Sequence, residues 1–146
     1  MADLTDVPPV VQPLKTAAPP ARESSIGQQF FRFALVGVVG TAAHYTILLI
    51  AAELLHLSPV IGAGAGFLTG LIASYVLNRA WTFDKRPEFK RGLATYTVVC
   101  VIGFGINVSI VALALTLGVH YMIGQVIATP IAMLWNFLGS RMIVFR

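Results

Sequence analysis

Charge is what this sequence has least of: Asp, Glu, Lys and Arg make up 11% of its 146 residues. It also carries a single cysteine, Cys100. One cysteine excludes an intrachain disulfide, and no Cys–His cluster offers the ligands of a structural zinc site. No glycine loop is followed by Lys and Ser or Thr, so the sequence lacks a nucleotide-phosphate cradle. No pair of carboxylates stands inside an apolar run, which removes the usual arrangement for general acid–base chemistry. These gaps speak against an enzyme, and no metal or other cofactor is expected.

What is present is apolar. The chain is 57% hydrophobic, with a mean hydropathy of +0.81, well beyond ordinary soluble domains. Four long runs stand out, at about 33–55, 60–77, 93–117 and 122–140. As a helix the first would be about 34 Å long, enough to cross a hydrocarbon core of roughly 30 Å. Every Lys and Arg falls on one side of these runs. Lys15, Arg22 and Arg32 precede the first; Arg79, Lys85, Arg86, Lys90 and Arg91 lie at or between the second and third; Arg141 and Arg146 close the fourth. The connections around His56 to Ser58 and Gly118 to Tyr121 have none. Excess Lys and Arg mark cytoplasmic loops. The predicted fold class is therefore an all-α integral membrane protein with four transmembrane helices, both termini cytoplasmic, in the cytoplasmic (inner) membrane. The net charge of +4 then reflects orientation and attraction to anionic membrane lipids rather than nucleic acid.

Residues 1–28 form a different material, with Pro8, Pro9, Pro13, Pro19 and Pro20 among Ala, Asp and Thr. Such composition predicts a disordered cytoplasmic tail, with a PxxP-type docking segment as the alternative. Residues 29–146 then make up the membrane domain. Within it, Ser74 to Phe83 can be laid on Asn136 to Phe145, each placing an Arg at a run's end and a Phe four residues on. Gly40 and His44 correspond to Gly103 and Asn107 with a one-residue shift. Two repeated helical hairpins of like orientation follow, and parallel repeats of this kind build transporters with the working site between halves.

Candidate residues follow from this frame. Gly62, Gly66, Gly70 and Ser74 recur every four positions, drawing a small-residue stripe that suits helix packing, a dimer contact or a groove for a lipid chain. Arg79 and Arg141 occupy equivalent places beside Asn78, Asn136 and Ser140. Guanidinium groups there either snorkel or grip a phosphate with paired hydrogen bonds. His44 and Asn107 fall inside spans, where polar side chains need partners or a polar path. Thr129-Pro130 predicts a kink or break in the fourth span. Glu53 is the one carboxylate inside a run, near its outer end.

The sequence resembles the GtrA-like family of small membrane proteins from about Gln29 to Phe145. The likeness rests on Arg32-Phe33-Ala-Leu-Val-Gly37, on Leu77-Asn78-Arg79-Ala-Trp81-Thr82-Phe83, and on Asn136-Phe-Leu-Gly-Ser-Arg141 with Val144-Phe145. The resemblance implies four membrane helices, a link to cell-surface polysaccharide synthesis, and flipping of a polyprenyl-phosphate-linked sugar to the outer leaflet. Departures stand at Gly40, His44, Ser140 and Met142-Ile143, where family members often carry other polar or aromatic residues. Joined to the residue reading, this makes Arg79, Arg141, Asn78 and Asn136 the expected phosphate ligands. His44, Asn107 and Thr69 are the expected polar path. A homo-oligomer is expected to help enclose that path. Two other classes compete: a non-transporting adaptor that anchors a glycosyltransferase, and a small proton-coupled multidrug exporter relying on Glu53.

Overall fold

The computed structural model describes residues 24–146, and all regular structure among them is helical. Four helices run in order: α1 (Ile26–Leu49), α2 (Pro59–Leu77), α3 (Phe89–Thr116) and α4 (Tyr121–Gly139). Three of them end in a π-helical turn: Ile50–Leu54 after α1, Asn78–Thr82 after α2, and Ser140–Val144 after α4. Each of the four is long and apolar enough to span a bilayer, so the chain is an all-helical, multi-pass membrane protein.

Helix boundaries differ from the hydropathy reading at the charged end. Most of the expected tail lies outside the described residues, but its last part belongs to α1. Ser25 and Gln28 form a reciprocal capping box, Gln28 N donating to Ser25 Oγ (3.3 Å) and Ser25 N to Gln28 Oε1 (3.2 Å). Two backbone donors that a helix start leaves unpaired are thereby satisfied. In the same way α3 begins at Phe89, taking in Lys90 and Arg91. Hydropathy marks where charge stops, whereas a helix extends into the interface, where its cations stay solvated. Of the kink or break expected at Pro130, the break is absent. Proline lacks one N–H, yet α4 continues through it from Tyr121 to Gly139.

Close packing pairs α1 with α2 and α3 with α4, while contacts between these hairpins are sparse. Small residues permit the pairing. Gly62 lies against Leu48 and Ala51, Gly66 against the His44 backbone, and Gly70 against the Gly40 carbonyl. A Cβ built on Gly40 would overlap Ser74 Oγ. The second hairpin repeats this plan with shifted names: Gly124 lies against Val111 and Ala114, and Gly103 against the Asn136 amide. The far connections match too. The chain turns through positive φ at His56 (50°) and at its repeat equivalent Gly118 (70°). The next helix is then capped by Ser58 Oγ on Val60 N and by His120 Nδ1 on Met122 N, each at 3.3 Å. The two π-helical turns that follow α2 and α4 occupy equivalent positions as well.

The hairpins meet at the end that carries the arginines. Tyr75, Phe145, Phe83 and Phe137 form one stacked series, with centroid separations of 5.9, 4.6 and 6.1 Å. Tyr75 is the repeat partner of Phe137, and Phe83 of Phe145, so the pseudo-twofold axis passes through the middle of this stack. Phe33 and Tyr96, also equivalent, add edge contacts to Phe137 and tilted contacts to Tyr75, each at 5.6 Å. Aromatic pairs contribute about 0.5–1.5 kcal/mol each beyond burial, so these rings add substantially to the hold between the two hairpins. Away from this clamp α1 and α3 do not touch, and space opens between them.

Candidate functional site

Two clefts lie between the hairpins, on either side of the pseudo-twofold axis. The larger, about 790 Å³, runs between α1 and the α3–α4 hairpin. The smaller, about 330 Å³, runs between the α1–α2 hairpin and α3. Both are bordered by Gly37, Thr41 and Tyr45 of α1 and by Tyr96 and Cys100 of α3, so they share a wall. The repeat converts one into the other, and the comparison localises a chemical difference. His44, Phe67 and Ser74 of the smaller cleft are replaced in the larger by Asn107, Thr129 and Asn136, and Gln125 is added.

Asn136 is the most unusual of these. Its Oδ1 is buried with no hydrogen-bond partner among the described residues, held against Gly103 where no side chain intervenes. An unpaired buried acceptor costs about 1–3 kcal/mol. Trp135 next to it instead satisfies its indole, Nε1 donating to Val99 O at 3.1 Å. Further along the groove Gln125 Nε2 donates to Thr129 Oγ1 (3.1 Å), whose hydroxyl donates to Gln125 O (2.8 Å). Among the described residues, no Asp, Glu, Lys or Arg lines the groove. Its polar wall is made of neutral amides and hydroxyls, suited to hydroxyl groups.

The four expected phosphate ligands are dispersed. Asn78 is 1% exposed and donates through Nδ2 to Tyr96 Oη (3.3 Å), inside the clamp. Arg79 turns the other way and donates through Nε and Nη2 to Pro87 O, at 3.3 and 3.2 Å. Asn78 and Arg79, adjacent in the same helical turn, thus face different partners. Asn136 precedes Arg141 by more than a turn and sits in the groove instead. Arg141 donates to Gln29 Oε1 and lines a separate cleft of about 290 Å³ at the charged end, with Asp84, Lys85 and Arg146. Arg79 does not line that cleft.

The expected polar path is likewise divided. Asn107 lines the larger cleft and His44 the smaller, and no hydrogen bond joins them among the described residues. Thr69 lines neither; it is exposed, and its hydroxyl returns to Ala65 O at 2.9 Å. It neighbours Gly70 in sequence, and the stripe that faces α1 leaves it pointing outward. Gly62, Gly66, Gly70 and Ser74 all lie on the intrachain α1–α2 contact. Glu53, the exporter's expected carboxylate, lies in the π-helical turn after α1, outside both clefts. Gln125, Thr129 (singled out only with Pro130, as a kink or break) and Gln29 were not among the expected site residues. Extending the repeat alignment upstream would have exposed the first two, because it sets Thr129 against Phe67. Gln29 carries no such signal, since its partner Asp84 is distant in sequence.

The sequence profile of the GtrA/DPMS transmembrane domain matches residues 32–145, both hairpins apart from the first residues of α1. A relative from Bacillus subtilis (strain 168), the uncharacterized membrane protein YngA, is 28% identical over 115 residues, covering 78% of this chain and 77% of its own. The profile match spans the clamp, the clefts and the two arginine-bearing ends, and the chain belongs to the GtrA/DPMS transmembrane-domain family.

Proposed function

We propose that this protein carries a polyprenyl-phosphate-linked sugar from the cytoplasmic to the outer leaflet of the inner membrane, for use in cell-surface polysaccharide synthesis. The observation that carries this reading is the larger cleft, a mainly apolar groove between the two hairpins into which Asn107, Gln125, Thr129 and Asn136 bring neutral polar groups. A sugar dragged through hydrocarbon would lose its hydrogen bonds with water, at a cost of several kcal/mol even after partial compensation. Asn136, Asn107 and the Gln125–Thr129 pair replace those bonds, while the prenyl chain remains in lipid beside the groove. The phosphate is held at the basic end, which the Lys and Arg distribution assigns to the cytoplasm.

Transport of this kind needs no nucleotide, since the protein lowers a barrier and substrate gradients set the direction. One chain presents the whole groove, and its side opening lets headgroup and tail separate, so the expected homo-oligomer is not required. Reconstituted proteoliposomes test the reading. Wild-type protein is expected to move a polyprenyl-phosphate hexose across the bilayer much faster than empty liposomes. No acceleration over empty liposomes across several sugars would overturn it and leave an adaptor for a glycosyltransferase as the better account.

A further inference from the structure

The cleft at the basic end contains a contact that moving a sugar does not by itself require. Gln29 is 6% exposed, and both ends of its amide are engaged. Nε2 faces three acceptors: Asp84 Oδ2 at 3.2 Å, Ser24 O at 3.2 Å and Ser24 Oγ at 3.0 Å. Oε1 accepts from Arg141 Nη1. Asp84 also accepts from Ser24 N and Oγ, so its carboxylate is already well supplied with donors. Lys85 and Arg146 line the same cleft and are exposed. Three cations therefore converge on a space where one carboxylate is committed elsewhere.

A guanidinium is shaped to give two parallel, charge-assisted bonds to an oxyanion, about twice as strong as bonds between neutral groups. In this cleft Arg141 instead donates to a neutral amide carbonyl. We propose that Gln29 is a displaceable placeholder for a phosphate monoester or diester oxygen on Arg141. On binding, the phosphate takes the guanidinium, Lys85 and Arg146 add charge, and the Gln29 amide stays with Asp84 and Ser24 through Nε2. Arg79, its repeat equivalent, is committed to the Pro87 carbonyl and holds the loop between hairpins rather than the ligand. The inference deepens the translocation reading, from which it takes only the carrier of the phosphate; free phosphate shares the chemistry.

The test is equilibrium binding to the full chain in detergent micelles, with folding checked by circular dichroism. The probes are polyprenyl monophosphate, the corresponding polyprenol, and inorganic phosphate as a competitor. Wild type is expected to prefer the monophosphate over the alcohol, and Arg141→Ala to lose that preference, on the order of tenfold or more. Gln29→Met keeps the side chain's approximate volume but removes the competing carbonyl, so it is expected to bind the monophosphate several-fold more tightly. A Gln29 that merely supported the fold, or itself held the ligand, would give weaker or equal binding in that variant, and either result overturns the proposal. Retained preference in folded Arg141→Ala also overturns it. Displacement of the lipid by equimolar inorganic phosphate would keep the exchange but assign the site to the soluble anion. The expected binding pattern without transport would leave the exchange standing and sink the translocation reading. Transport with unaltered binding by Arg141→Ala would do the reverse.

Discussion

Two arginines at equivalent places in the repeat have different surroundings. Arg79 spends two donors on the Pro87 carbonyl and thereby fastens the loop between the hairpins. Arg141 donates to one neutral acceptor, Gln29, in a cleft also lined by two other cations and by Asp84. Arg79→Ala is therefore expected to leave affinity for polyprenyl monophosphate within about twofold, while lowering thermal stability by roughly 1–3 kcal/mol, the cost of hydrogen bonds to a charged donor. Ligand binding and thermal unfolding measured on the same preparation separate these effects, and a large affinity loss would return Arg79 to the phosphate site. Sequence alone marked both arginines but not their division of labour. That depends on where Pro87 and Gln29 come to lie, and neither is local to its arginine's helix face.

Among the helices, stability rests on small residues at matched heights. Gly62 with Leu48 and Ala51, and Gly124 with Val111 and Ala114, form the same layer in the two hairpins. In a membrane no hydrophobic driving force brings helices together, so close backbone approach and dispersion carry the association. Gly62→Leu and Gly124→Leu are each expected to force their hairpin apart and destabilise the protein by about 1–3 kcal/mol, the usual cost of overpacking. Gly64→Leu, where an added Cβ meets nothing within 4 Å, is the control and is expected to be near neutral. Unfolding in a detergent titration checks all three, and equal effects at Gly62 and Gly64 would remove the packing argument. Four-residue spacing made this stripe legible in the sequence. The capping box at Ser25 was also written there, but hydropathy is blind to it, which is why the start of α1 was placed too late.

For the molecule as a whole, four spans and a twofold repeat were readable because both follow from the placement of apolar runs and arginines. The candidate groove was not, because it depends on which repeat positions differ. Asn136 resembles a companion of Arg141 in one dimension, yet helical rotation and more than a turn of rise carry it into the groove, and Thr69 is turned outward by the same geometry. A symmetric scaffold in which one cleft is larger and carries added amide and hydroxyl side chains is the central claim, and Asn136 against Ser74 isolates it, since these residues are repeat equivalents in different clefts. The decisive measurement is the proteoliposome translocation rate of a polyprenyl-phosphate hexose for Asn136→Ala and Ser74→Ala. Losing one amide bond to the headgroup should slow Asn136→Ala by about tenfold, equivalent to about 1.4 kcal/mol, with Ser74→Ala close to wild type. Equal rates in the two variants, or a loss confined to Ser74→Ala, would contradict the assignment of the larger cleft as the path.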